Sequence, residues 1–261
     1  MMTARFPTPY AEVNDLLLQV KTGAQAILAG QFAGMYLYGS LALGDFDPQK
    51  SDIDFLIATA GEISPGQLQQ LQAMHLQIAS GSSRWAMELE GSYIPLKALR
   101  RWDPADARHP HIDRGGGNLQ IEQHDSDWVI QRYSLREYGI VIEGPDIKTL
   151  IDPISPDDLR QAVLDLMWWW ELQTQDTHRV ETSAYQAYAV LSMCRILYTL
   201  QNGAILSKPQ AARWAQRSLE PRWHPLIERA LSWQPGCAMD RLDETLAFIR
   251  YTLDRSKAYR C

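Results

Sequence analysis

One stretch constrains the fold of this chain more than any other. An apolar run, Met35 to Tyr38, meets Gly39-Ser40, and a polar spacer leads to Ser51-Asp52-Ile53-Asp54, which opens a second apolar run, Phe55-Leu56-Ile57. Short apolar runs separated by a glycine turn and a polar loop read as neighbouring strands. Side chains alternate along a strand, so Asp52 and Asp54 share one face while Ile53 points into a core. Two carboxylates held on one face repel each other and suit a divalent cation, with Mg²⁺ carried in by a nucleotide triphosphate as the fitting choice. Gly39 permits close backbone approach at the turn, and the Ser40 hydroxyl with the amides after it can meet a phosphate.

Around this core the first half mixes strands and helices. Val13, Leu16, Leu17, Val20, Ala24 and Ile27 recur with helical period between Tyr10 and Leu28. Ser64-Pro65 opens a second helix through Leu68, Leu71, His75 and Ile78. Trp85 to Ile94 alternates as a strand, with Met87, Leu89 and Gly91 on one face and Glu88, Glu90 and Ser92 on the other. Arg100 to Asn118, with Pro104, Pro110 and Gly115-Gly116-Gly117, reads as a long mobile loop, either a lid or a plain surface excursion. A short strand at Leu119 to Ile121, a helix over Asp127 to Glu137 and a strand at Gly139 to Ile142 close this half.

The character changes after Ile151-Asp152-Pro153. Asp157–Thr174, Glu181–Asn202, Ser207–Ser218, Pro221–Trp233 and Asp240–Arg255 all carry helical period, and turn signals separate them. The expectation is an α+β chain: a small mixed-sheet domain over residues 1–152, then an all-α bundle of about five helices over 153–261.

Composition removes several classes. An apolar content of 46% with nine Trp supplies a core and excludes wholesale disorder. A net charge of −6 without a basic stripe argues against a nucleic-acid partner. No segment reaches the length of a membrane span, and residues 1–10 lack the basic start and apolar run of a signal peptide. Cys194, Cys237 and Cys261 are odd in number and far apart, which reads as reduced thiols of a cytoplasmic protein. Neither a Walker A pattern nor Gly-x-Gly-x-x-Gly is present. His109, His111, His124, His178 and His224 share no metal-ligand spacing and read as loop or surface residues.

Metal-assisted transfer of a nucleotidyl group needs carboxylates for the cation, donors for the triphosphate and a base for the attacking hydroxyl. Asp52 and Asp54 answer the first need, and Glu88 and Glu90 both offer a base from the polar face of the third strand. Arg195 lies among the apolar residues Ala189 to Tyr198 and needs an anionic partner there, a phosphate or a carboxylate. Lys208 follows the capping residue Ser207 at a helix start, where it favours a bound anion. Of Trp168-Trp169-Trp170, one or two rings belong to the core and the rest can offer a stacking face.

The order of Gly39-Ser40 and Asp52-x-Asp54 resembles the polymerase-β-like nucleotidyltransferase superfamily. With Leu37-Tyr38-Gly39-Ser40, Asp152-Pro153, Asp158-Leu159 and Leu191 to Tyr198 leading to Lys208, nearly the whole chain is similar to the streptomycin/spectinomycin adenylyltransferase family. That resemblance implies an amino-terminal nucleotidyltransferase domain and a helical domain, with ATP and a small hydroxylated acceptor bound between them. It implies that Ser40 and Ser51 contact phosphates, that Asp52 and Asp54 ligate Mg²⁺, and that Arg195 and Lys208 hold the phosphates. Ala86-Met87-Glu88-Leu89 matches the strand of the family's catalytic glutamate, which selects Glu88 as base and as a neighbour of the metal. Trp170 falls where the family sets a tryptophan against the acceptor. The family's acceptor-binding aspartate is replaced by Tyr185, and Glu181, read as one helical turn earlier, stands in for it.

Overall fold

The computed structural model describes residues 7–260. Cys261 and most of the stretch on which the absence of a signal peptide was read lie outside those residues. Two compact units emerge, one comprising Met1–Phe46 with Ser51–Pro153 and the other Asp47–Lys50 with Ile154–Cys261.

The first unit is built on a six-stranded sheet: β1 (Phe32–Leu37), β2 (Ile53–Thr59), β3 (Leu89–Pro95), β4 (Arg108–Ile112), β5 (Leu119–Gln123) and β6 (Ile140–Glu143). The spatial order is β5-β4-β3-β2-β1-β6, with only β2 and β3 parallel. A parallel pair needs a crossover, which α3 (Pro65–Ala79) supplies. Its start is fixed by a capping box between Ser64 and Gln67. α1 (Ala11–Leu28) and α3 cover one face of the sheet. Val13, Leu16, Leu17 and Val20 of α1 join Ile53, Phe55, Ile57, Leu89 and Tyr93 of the strands in one buried cluster. Full burial of each such aliphatic side chain contributes roughly 1.5–3 kcal/mol. α2 (Gly39–Leu43), α4 (Leu96–Arg100) and α5 (Asp127–Tyr138) complete the unit.

Three expectations for this half need correction. Residues 84–88 do not extend the strand; they form a 3₁₀ turn that Ser83 caps by accepting from the Trp85 amide at 3.3 Å. The buried Trp85 ring locks that turn, its Nε1 donating to Glu12 at 3.1 Å. Residues 108–112, expected within a loop, form β4, paired along its whole length with β5 and with β3 only at Gly91 and Ser92. Proline is costly inside a sheet, yet Pro110 is accommodated in β4. Finally, His109 (1% exposed), His111 (8%) and His124 (2%) are interior rather than surface residues.

The second unit is all helical, with α6 (Pro156–Asp165), α7 (Met167–Gln175), α8 (Ser183–Asn202), α9 (Lys208–Ser218), α10 (His224–Ser232) and α11 (Leu242–Ser256). α8 is central: α6, α9, α10 and α11 all pack on it, and it buries Val190, Met193, Cys194 and Leu200. Ser155 opens α6 with a capping box to Asp158. The helix expected over Asp157–Thr174 is broken at Leu166, whose amide bonds to Val163 O in a tight three-residue step. Among the described residues no helix is long and apolar enough to cross a membrane.

Candidate active site

Asp54 and Glu90 are directly paired across the parallel strands β2 and β3, so their side chains leave the same face of the sheet. The opposite face carries Ile53, Phe55 and Leu89 into the core. Tyr38 belongs to the polar side, its amide donating to Asp54 O at 3.2 Å. Burial pushes the Tyr38 hydroxyl well above its ordinary value, and the charges of Asp54, Glu90, Asp52 and Asp127 push it further. The charges of four carboxylates, from β2, its lead-in, β3 and α5, are therefore all felt at one tyrosine.

Gly39 lies against this cluster with φ +63°, and a Cβ there would stand 1.8 Å from Asp54 Oδ2. Only glycine fits both the left-handed conformation and the carboxylate contact. The next residue, Ser40, holds its Oγ buried with no protein partner among the described residues. Ser51, half-buried, precedes Asp52 in the lead-in to β2.

Glu88 is elsewhere. It sits on the 3₁₀ turn before β3 and forms an ion pair with Arg114. The two glutamates expected on one strand face are thus separated, and the register places Glu90 beside Asp54. That register arises from strand pairing, which local alternation does not report.

A band of buried polar groups continues along the same face of the sheet. Ser92 Oγ lies 2.7 Å from His111 Nδ1 and 3.2 Å from His124 Nε2. The His124 ring stacks on Trp128 at 3.7 Å with 5° between planes. Burial, then the neighbouring His109, His111 and Arg132, pulls His124 down to about 2. On the opposite, core face, burial pulls His75 of α3, bonded to the Tyr93 hydroxyl at 2.7 Å, down to about 4. Burial also lowers His109. Asp127 goes the other way, raised to about 6 by burial and by Asp125.

These shifts set a pH dependence. A histidine depressed below its ordinary 6.5 binds fewer protons folded than unfolded, so its stabilisation is full above pH 6.5 and lost as pH falls. Asp127, raised from 3.8, returns stability between pH 6 and 4. The histidines outnumber it, so the urea midpoint should fall from pH 6.5 to 4.5, and His124→Asn should flatten the decline. A midpoint that holds constant over that range would contradict the assignment.

In the helical unit Tyr185, Tyr188 and Arg195 follow at near-helical spacing along α8. The Trp170 ring is buried, 4% exposed, and stacks on Tyr188 at 6.1 Å. Trp168, at 58%, is the outward ring of the triplet. Lys208 Nζ lies 4.9 Å over the Tyr188 ring at the start of α9, where Ser207 caps the Gln210 amide at 3.3 Å. Arg195 and Lys208 each have further partners. Burial raises the Tyr185 hydroxyl to about 12. Glu181 lies before the Thr182 cap, outside α8, and accepts from Thr177 Oγ1 at 3.1 Å. Because α8 starts at Ser183, two residues later than expected, Glu181 is not one helical turn below Tyr185.

A sheet that presents paired carboxylates beside a glycine-serine turn is a nucleotidyltransferase domain, and that family's pattern matches residues 27–80. Residues 149–258 match the aminoglycoside adenylyltransferase C-terminal domain. An aminoglycoside (3'')(9) adenylyltransferase of Escherichia coli is 24% identical over 262 residues, spanning 92% of this chain and 94% of that one. A spectinomycin 9-adenylyltransferase of Campylobacter jejuni is 27% identical over 246 residues, spanning 89% and 91%. The crystal structure of spectinomycin adenyltransferase AAD(9) from Enterococcus faecialis, solved with ATP and spectinomycin, superposes with a TM-score of 0.71 at 19% identity. It covers 93% of this chain and 98% of that one. Over nearly its whole length the chain is thus similar to the aminoglycoside adenylyltransferases, with one family pattern matched in each half.

Proposed function

We propose that this enzyme transfers the adenylyl group of ATP to a hydroxyl of a small aminoglycoside-like acceptor such as spectinomycin or streptomycin, releasing pyrophosphate. The observation that carries this reading is the in-register pairing of Asp54 with Glu90, beside Asp52 and the Gly39 turn. Support for the acceptor class comes from relatives named as aminoglycoside and spectinomycin adenylyltransferases.

Asp52 and Asp54 suit Mg²⁺, because their all-oxygen donor set matches a hard cation and the missing Gly39 Cβ keeps the Asp54 carboxylate uncovered. Bound there, Mg²⁺ would offset charge on the triphosphate. Glu90 takes the proton of the acceptor hydroxyl. The hydroxyl oxygen then bonds to the α-phosphorus, and the bond from that phosphorus to pyrophosphate breaks. Ser40 and Ser51 donate to phosphate oxygens, while Arg195 and Lys208 neutralise the triphosphate. Tyr185, Glu181 and the aromatic face around Trp170 are assigned to the acceptor. Use of ATP, together with the unpaired thiols of Cys194 and Cys237, suits a cytoplasmic enzyme.

A second acceptor reading has one observation in its favour: an uncharged Tyr185 stands where the family places an acid, which suits a less cationic hydroxylated metabolite. The test is pyrophosphate release with ATP and Mg²⁺ across spectinomycin, streptomycin and other hydroxylated compounds. Release with either drug supports the antibiotic reading. Release only with another compound supports the second reading, and no release with any acceptor would contradict both.

A further inference from the structure

We propose that His111, Asp113 and Glu122 form a site for a first-row divalent metal ion of the zinc type, separate from Asp52 and Asp54. Their ligand atoms all lie within 4.8 Å of one another. His111 Nε2 is 3.3 Å from Asp113 Oδ1. On β5, Glu122 pairs with His109, and Gln120 pairs with His111. Glu122 therefore shares a face with Gln120 and lies diagonally across from His111. Two carboxylates at such separation repel, and a cation held between them removes that cost.

The donor set chooses the cation. One imidazole nitrogen with two carboxylate oxygens suits zinc-like ions, whereas Mg²⁺ prefers oxygen and retains its waters. The imidazole is already oriented: Nδ1 shares a 2.7 Å hydrogen bond with the buried Ser92 hydroxyl, leaving Nε2 to face the carboxylates. A hydrogen bond to the second ring nitrogen is the usual support of a metal-bound histidine. His111 and Glu122 stand on paired strands, so two of the three ligands come from rigid backbone. Asp113, with a side chain 70% exposed, opens the site to solvent. A bound ion would fasten the start of the Gly115–Gly117 turn to β5. The inference is independent of the adenylyl-transfer reading.

The test titrates the metal-stripped full-length protein with ZnCl₂ in millimolar Mg²⁺ by calorimetry, and with Co²⁺ by visible absorption. One Zn²⁺ should bind wild type and an Asp52→Ala/Asp54→Ala variant alike. Glu122→Ala and Asp113→Ala, at accessible positions, should each weaken binding at least tenfold and lose the Co²⁺ band. Ser92→Ala should weaken it by about 10–100-fold through the unsupported imidazole. Zn²⁺ binding unaffected by Glu122→Ala and Asp113→Ala, binding lost with the Asp52/Asp54 pair, or no binding at all would overturn the proposal.

Discussion

Glu90→Gln should slow adenylyl transfer by about 10²–10⁴-fold, the usual contribution of a positioned general base, while ATP still binds. Glutamine keeps the size and the hydrogen-bonding oxygen but cannot accept the acceptor's proton. Glu90 is singled out by its register, since it stands opposite Asp54 on the parallel neighbour and adds its charge to that of Asp54 and Asp52 at Tyr38. Glu88→Gln, in contrast, removes an ion pair with Arg114 between partly exposed side chains. Such pairs are worth roughly 0–1 kcal/mol, so turnover should stay within a few fold of wild type. Single-turnover kinetics with saturating ATP compare the two variants. A Glu88→Gln loss as large as that of Glu90→Gln would return the base role to Glu88.

The largest effect on stability should come from Arg132. This side chain is 2% exposed, and its guanidinium donates to Ala98 O at 2.8 Å, Leu99 O at 3.2 Å and Trp128 O at 3.3 Å. It ties α5 to α4 and so holds Asp127 and Trp128 against the polar face of the sheet. Arg132→Ala strands the Ala98 and Leu99 carbonyls and removes the favourable charge beside Asp127. Removing one partner of a buried ionic network costs about 3–5 kcal/mol, most of it the desolvation of what is left behind. Urea unfolding measures the change. Asp127→Asn in the same background should recover part of the loss, because the stranded negative charge is then absent. A cost below about 1 kcal/mol would show that the carbonyls find other donors.

Much of the fold that carries the candidate site was legible from sequence because its signals are local. The Gly39 turn, the strand that carries Asp54, and the switch to helical period all lie within windows that periodicity can read. The choice between Glu88 and Glu90 was not, since it depends on where β3 begins and how it registers with β2. Strand β4 was hidden by Pro110, which argues against a strand wherever it appears. Its alternation of buried histidines, His109 and His111, with Pro110 and Ile112 was the signal available, and polar inward residues disguised it. The interior histidines are buried by Ser92 and Trp128, which lie 17 or more residues away in sequence from the β4 pair. The break at Leu166 falls just before the tryptophan triplet, with Trp170 inward and Trp168 outward, and helical period alone runs straight through it.

The most direct test of the Asp52–Asp54–Glu90 site is mass spectrometry of the acceptor after incubation with ATP, Mg²⁺ and either spectinomycin or streptomycin. Wild-type enzyme and Asp54→Asn are run in parallel. The site predicts an adenylylated acceptor with wild type and none with Asp54→Asn, with Mg²⁺ required throughout. Equal product from the Asp54→Asn variant would contradict it, because the chemistry would then lie outside the carboxylates gathered around Tyr38.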